Sequence, residues 1–143
     1  MARFEGTETA PGTYLPLITI EIVLSTPDEE PALVRALALI DSSADGSVVP
    51  SEIVGVAGIE FGDLQPGPKG IGAGGEFEVR KVLGSLSWDG EVFLDDELMV
   101  TQPGTLRGPL LGRADFFKTF GAEFDWSKEP PRFHVERRRI QSR

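Results

Sequence analysis

Hydrophobic and polar positions alternate over several short segments of the chain, which is the pattern of half-buried β-strands. Residues 15–24 combine β-branched residues with partial alternation. Residues 84–88 and 91–100 continue the pattern, and Asp89-Gly90 between them is typical of a two-residue hairpin turn. These segments together predict a chain that is mostly β.

The C-terminal part predicts one short helix followed by a hairpin. Residues 113–120 suit a helix that ends at Gly121, because glycine readily adopts the left-handed conformation found at helix ends. Residues 122–126 and 132–136 then predict two strands. Residues 51–69 lack a clear period and are expected to be irregular.

The segment 32–41 leaves two alternatives open. Alanine and leucine dominate it, and Pro31 stands where the first residue of a helix would be, which favours a helix. The same residues also alternate between two faces, as a strand that is buried on both faces does. Propensity alone does not decide between helix and strand here.

Composition limits the architecture. The 143 residues allow one domain, or two at most, and 40% hydrophobic residues are enough to build a core. We expect one domain over residues 14–136, with a flexible segment at 1–13 and a basic tail at 137–143. Because cysteine is absent, the chain has no disulfide, no cysteine-ligated metal and no cysteine nucleophile.

The net charge of −9 argues against a surface made for nucleic acid or for an anionic membrane. The basic tail is the local exception and is typical of a solvated end. No apolar run approaches the roughly 18 residues that a membrane span requires. The first residues also lack the apolar region of a signal peptide. We therefore expect a cytoplasmic protein without a nucleic-acid or membrane partner.

Three features match common kinds of site only partly. Gly70, Gly72 and Gly75 have the spacing of a dinucleotide-binding loop, but a strand pattern follows them where that loop needs a helix. His134 is the single histidine and lies in a strand pattern. The acidic run 95–97 has no second ligand cluster. We expect no metal and no cofactor, and the glycines form either a hairpin tip or a mobile flap.

Asp41 is the strongest candidate for chemistry. It follows the apolar run 36–40 and precedes small polar residues. A carboxylate at the end of a buried strand has the low-dielectric surroundings that acid–base catalysis uses, and small neighbours leave room for a substrate. The structural alternative is an aspartate that opens a turn.

Three separated segments together resemble the retroviral-type aspartic proteases. Residues 38–47 resemble the catalytic segment of that family, in which apolar residues precede Asp-Thr/Ser-Gly-Ala. Residues 70–79 are similar to its glycine-rich flap, and residues 109–117 to the apolar-apolar-Gly-Arg segment before its helix. Their order and spacing fit the family, and the resemblance covers about residues 15–135.

The resemblance implies an all-β fold with one short C-terminal helix, a retropepsin-like barrel that is active only as a dimer. It also makes 32–41 a strand. Because the chain has one candidate segment, the second catalytic aspartate would be Asp41 of another copy, across a two-fold axis. Two such carboxylates share one proton, and the ionised carboxylate activates a water that attacks the peptide bond.

The resemblance also implies roles for other residues. Ser42 would brace the two catalytic loops across the homodimer, beside Ser43 and Ala44 in the same loop. Gly112 and Arg113 would be structural, with Arg113 tying the helix start to the dimer interface or to the catalytic loop. The flap over an extended peptide substrate would comprise Gly70, Ile71, Gly72, Ala73, Gly74 and Gly75.

Ser43 departs from the family pattern, which has glycine at this position. Glycine lets the loop pass close to the partner carboxylate and to the substrate backbone. A serine adds a hydroxyl that could hydrogen-bond Asp41 and disturb the sharing of a proton. Three functions therefore stay open: an aspartic endopeptidase, an inactive retropepsin-like module that dimerises or binds peptides, and an unrelated β-barrel binding domain.

Overall fold

The computed structural model describes residues 2–28, 30–72 and 74–138. The helical segments are α1 (Ser51–Val56), a 3-10 turn (Phe61–Asp63) and α2 (Phe116–Thr119). The strands are β1 (Ala2–Glu5), β2 (Thr7–Ala10), β3 (Thr13–Leu15), β4 (Leu17–Leu24), β5 (Ala32–Ile40), β6 (Val48–Pro50), β7 (Gln65–Pro66), β8 (Gly70–Gly72), β9 (Gly75–Phe77), β10 (Val79–Trp88), β11 (Glu91–Thr101), β12 (Leu110–Leu111), β13 (Phe120–Asp125) and β14 (Arg132–Arg137).

Six strands close into a barrel in the order β11-β6-β12-β5-β4-β10, and β10 pairs back onto β11. β4 and β5 are antiparallel, whereas β12 runs parallel to β5 and β6 runs parallel to β11. β7 extends the sheet beside β10. The segment 32–41 is therefore a strand, as the resemblance implied, and the predicted mostly β class is confirmed.

Alternate residues of the strands fill the barrel. Along β4 every second side chain, from Ile18 to Leu24, is fully buried, and the residues between them face outward. Phe116 of α2 packs on Phe93 and Phe120, with ring centroids 5.2 and 5.1 Å apart. Burial of large apolar side chains contributes about 1.5–3 kcal/mol each, so this aromatic group fixes the short helix against the barrel.

A second sheet forms from both ends of the chain in the order β1-β14-β13. The predicted C-terminal hairpin is present as β13 and β14. The segment 1–13, which we expected to be flexible, contains β1 and β2, and β3 begins at its last residue; β1 pairs with β14 over four residues. Phe4 of β1 lies directly opposite Phe133 and stacks on it at 5.2 Å between centroids, which gives the N-terminal strand an apolar anchor.

One turn and one helix show where local sequence was sufficient and where it was not. Asp89 and Gly90 have φ values of 51° and 78°, as expected of the predicted two-residue hairpin turn. α1 lies in the segment 51–69 that we expected to be irregular, so the described part of the chain has one α-helix more than predicted. Its sequence contains β-branched residues and a glycine, which have low helix propensity. The helix is therefore stabilised by the burial of Val54 in the core.

Candidate active site

Asp41 lies directly after β5, one residue beyond the buried Ile40. Its N–H donates to the carbonyl oxygen of Leu111 in β12 at 3.0 Å, so the sheet fixes the start of the following loop. The N–H of Ala44 donates to the carbonyl oxygen of Asp41 at 3.1 Å and closes a turn. We call residues 41–47 the Asp41 loop. The Asp41 side chain is half-buried at the barrel end of this loop.

Ser43 donates two hydrogen bonds to the carboxylate of Asp41. Its backbone N–H lies 3.0 Å from Oδ1 and its hydroxyl oxygen lies 2.5 Å from the same atom. Ser42 and Ser43 are both exposed, so a second molecule can reach this turn. The contact that we considered from the sequence, a hydroxyl on Asp41 at the position of the family glycine, is therefore present in the fold.

Ser47 and Asp115 anchor the far end of the Asp41 loop. The N–H of the buried Ser47 donates to Asp115 Oδ2 at 3.0 Å, and its hydroxyl donates to Asp115 Oδ1. The Ser47 hydroxyl also accepts from the N–H of Gly112 at 3.0 Å. Asp115 accepts in addition from the N–H of Phe116 at 2.6 Å and so caps α2. One carboxylate thus connects the Asp41 loop with the helix.

Gly112 and Arg113 pack on the middle of the same loop. A Cβ at position 112 would lie 2.5 Å from the carbonyl carbon of Gly46, so only glycine fits there. The N–H of Arg113 donates to the carbonyl oxygen of Ala44 at 3.0 Å, and its guanidinium forms an ion pair with Asp45. Both charged groups are largely exposed, so the ion pair contributes little energy and the backbone contact matters more.

The glycine-rich segment is a hairpin made of β8 and β9, with Gly72 opposite Gly75. We call residues 70–77 the flap hairpin, of which Ala73 lies outside the described residues. Ile71 is 81% exposed. A Cβ on Gly70 would meet the ring of Phe77, so a larger residue at position 70 would require this ring to move. The strand after these glycines is incompatible with a dinucleotide-binding loop.

A row of half-buried apolar side chains crosses five barrel strands and includes Leu39, two residues before Asp41. Neighbours in the row are direct cross-strand partners, so their side chains share one face. The residues beside them in sequence are buried inside the barrel, which places the row on the outer face. We call it the apolar row; in spatial order it comprises Leu17, Leu39, Leu110, Val48 and Met99.

Sequence reasoning missed Ser47, Asp115 and the apolar row. The residues of each set are far apart in the chain, and only strand pairing brings them together. The alternation of single strands indicated outward apolar positions but not their alignment. Gly112 and Arg113, by contrast, were identified from their motif, and the structure places both on the Asp41 loop.

The remaining candidates lie elsewhere. His134 is in β14, where its Nε2 is 3.5 Å from a carboxylate oxygen of Glu123. No group of three or more His, Asp or Glu side chains within the described residues could hold a metal ion. None of the described helices is long and apolar enough to cross a membrane.

Of the predicted basic tail, Arg137 contacts Glu91 and Arg138 donates to a carbonyl oxygen of α2, while residues 139–143 lie outside the described residues.

Solved structures share this fold. A retropepsin-like aspartic protease from Rickettsia conorii superimposes with a TM-score of 0.58 at 16% identity, over 94% of this chain and 99% of that one. EIAV protease in complex with the inhibitor HBY-793 superimposes with a TM-score of 0.52 at 20% identity, over 75% of this chain and 89% of that one. No family model and no curated protein matches the sequence. The chain therefore has the retropepsin-like fold that its three motifs predicted.

Proposed function

We propose that the protein is an aspartic endopeptidase in which two copies of the chain each supply one Asp41. The observation that carries the proposal is the position of Asp41 at the end of a buried strand of a retropepsin-like barrel, on a loop held by Leu111 and Gly112. The chain contains one such loop, so a second copy must supply the second carboxylate.

The chemistry follows from the pairing of the two carboxylates. Two carboxyl groups a few ångströms apart do not ionise together easily, so they share one proton. The ionised carboxylate takes a proton from a water molecule as its oxygen attacks the peptide carbon. The protonated carboxyl donates to the carbonyl oxygen, on which negative charge develops. Proton transfer to the leaving nitrogen then breaks the C–N bond, and no cofactor is required.

The apolar row supports a peptide as the substrate. An extended peptide presents alternate side chains to one face, and strand-like pairing holds its backbone. Leu39 of this row lies two residues before Asp41, so side chains that flank the cleaved bond can bury apolar area against the row. We expect apolar residues to be preferred there, with the flap hairpin covering the substrate from the other side.

Ser43 favours a second candidate function, a retropepsin-like module that dimerises or binds peptides without cleaving them. Its hydroxyl lies 2.5 Å from Oδ1 of Asp41 and occupies an oxygen that the shared proton or the water would use. In this alternative the second carboxylate is still brought close, but the proton is not positioned for transfer. Substitution of Ser43 by glycine separates the two functions.

The test is cleavage of a peptide library between acidic and neutral pH, at protein concentrations that hold a dimer in sedimentation. The variants are Asp41→Asn, Ser43→Gly and Asp63→Asn, the last being an exposed aspartate of the 3-10 turn that serves as the matched control. Cleavage by the parent and by Asp63→Asn but not by Asp41→Asn supports the endopeptidase. Cleavage only after Ser43→Gly supports the second candidate. A monomer that cleaves nothing in any form contradicts both.

A further inference from the structure

Glu78 is the single residue between β9 of the flap hairpin and β10 of the barrel, whereas residues 67–69 connect the other arm of the hairpin to β7. β9 ends at Phe77 and β10 begins at Val79, and the flap hairpin is hydrogen-bonded as a sheet of its own. The hairpin can therefore change its orientation by rotation about the backbone of Glu78 on one arm and of residues 67–69 on the other, without breaking its own hydrogen bonds. Contacts that hold Glu78 determine where this hinge lies and how freely it moves.

Gln102 holds the backbone of Glu78 with two hydrogen bonds. Its side-chain oxygen Oε1 accepts from the N–H of Glu78 at 2.6 Å, and its own N–H donates to the carbonyl oxygen of Glu78 at 3.0 Å. Gln102 is half-buried and follows β11 directly, so it belongs to the rigid barrel. Two bonds from one residue fix the orientation of the Glu78 backbone as well as its position.

Other contacts near the hinge start on its barrel side. The N–H of Gly67 donates to the carbonyl oxygen of Val79 at 2.9 Å. The guanidinium of Arg80 donates to the carbonyl oxygens of Gly62 at 2.8 Å and Leu64 at 3.2 Å. These bonds hold the beginning of β10 in place. None of them involves the N–H of Glu78, which donates to the side-chain oxygen of Gln102.

A groove lies beside the hinge and makes this hydrogen bond accessible to water. Its volume is about 540 Å³, and its walls include Phe77, Glu78 and Gln102. The Glu78 side chain is exposed and directed to Arg80, with the carboxylate 3.2 Å from Nε. Once the Gln102 oxygen is removed, water can reach the Glu78 N–H, so the amide would lose its protection and its fixed direction.

We propose that Gln102 is a positioning residue that fixes the hinge of the flap hairpin. The hinge is a property of the chain itself, whereas its kinetic consequence rests on the proposed endopeptidase function. A flap hairpin with a loose hinge spends less time closed, which weakens substrate binding in proportion. Loss of one intramolecular hydrogen bond corresponds to about a 2- to 10-fold change in such an equilibrium. We therefore expect KM to rise about 2- to 10-fold while kcat changes less than about twofold.

The test compares Gln102→Met, which removes the acceptor at nearly constant length, with Gln102→Glu, which keeps an acceptor oxygen. Gln65→Met in the exposed edge strand β7 is the matched control. Amide hydrogen exchange in the whole chain, followed by NMR, reports the hinge directly. Gln102→Met should raise the exchange rate of the Glu78 amide about 2- to 10-fold and leave barrel amides unchanged. Gln102→Glu should restore parental exchange, and the control should match the parent.

The outcomes separate the hinge from the catalytic function. Unchanged exchange of the Glu78 amide in Gln102→Met would overturn the proposal, whatever the protein cleaves. Faster exchange that Gln102→Glu does not restore would also overturn it, because the acceptor would not be the cause. Faster exchange with restoration supports the hinge, and a rise in KM at constant kcat connects it to substrate closure. If the parent cleaves nothing, the proposed endopeptidase function is wrong, and the exchange rates still decide the role of Gln102.

Discussion

Replacement of Asp115 by alanine should destabilise the fold and loosen the Asp41 loop together. The Asp115 carboxylate accepts three hydrogen bonds, from the N–H of Phe116 and from the N–H and hydroxyl of Ser47. Two of the three connect segments that are 68 residues apart. Alanine keeps the Cβ but removes every acceptor, so the loop loses its anchor without a steric clash.

The expected magnitude follows from the three donors. Loss of a helix N-cap costs about 1 kcal/mol. Ser47 is only 3% exposed, so water does not replace its lost partner, and an unsatisfied buried donor costs about 1–3 kcal/mol. The Ser47 hydroxyl loses its acceptor at a further cost of about 1 kcal/mol. The total is about 4 kcal/mol, or about 13 °C in Tm for a chain of this length.

Urea and thermal unfolding followed by tryptophan fluorescence measure this loss, because Trp88 is buried in the core. Protein concentration must be constant, since a dimer gains stability with concentration. Asp125→Ala is the matched control. Asp125 accepts from the N–H and hydroxyl of Ser127 at 3.0 and 2.5 Å, but this pair is local and exposed. The control should therefore unfold at nearly the parental midpoint.

Equal midpoints for Asp115→Ala and Asp125→Ala would refute this account of the loop. The result would mean that the long-range hydrogen bonds of Asp115 contribute no more than a local surface turn does. A large loss of stability with unchanged cleavage kinetics would refute the second part, that Asp115 holds the loop that carries Asp41.

Three further predictions test single contacts. Thr101→Val should raise the free energy of unfolding by about 1 kcal/mol in urea titrations, because the buried Thr101 hydroxyl has no hydrogen-bond partner among the described residues. A loss of stability would show that the hydroxyl does have a partner. Gly112→Ala should lower the free energy of unfolding by about 1–3 kcal/mol, because the new Cβ would meet the backbone of Gly46. Unchanged stability would contradict this close approach. The Gly104 N–H donates to Glu52 at 2.8 Å and lowers the pKa of that carboxyl. This contribution is present above the ordinary value of 4.5 and is lost as pH falls through the folded pKa. The stability difference between the parent and Glu52→Ala should therefore shrink on acidification, and a difference independent of pH would contradict it.

Local sequence determined much of the barrel. Alternation along 15–24 and 91–100 predicted strands, because one face of each strand must be buried. Asp89-Gly90 predicted its own turn, since both residues tolerate a positive φ. The three motifs predicted the retropepsin-like fold, and through it the strand at 32–41 and the positions of Asp41, Gly112 and Arg113.

Tertiary structure decided the features that depend on contacts between distant residues. α1 forms because Val54 enters the core, and its local sequence is a poor helix former. Asp115 accepts two hydrogen bonds from Ser47, and these form only because the start of β6 lies beside the start of α2. The two hydrogen bonds between Gln102 and Glu78 require the end of β11 to lie beside the start of β10. The sequence by itself determined the strands at 15–24, 84–88 and 91–100 and which aspartate is the candidate for chemistry. Only the closed barrel decided which residues hold that aspartate and the base of the glycine-rich hairpin, because hydrogen bonds across the barrel leave no local pattern in the chain.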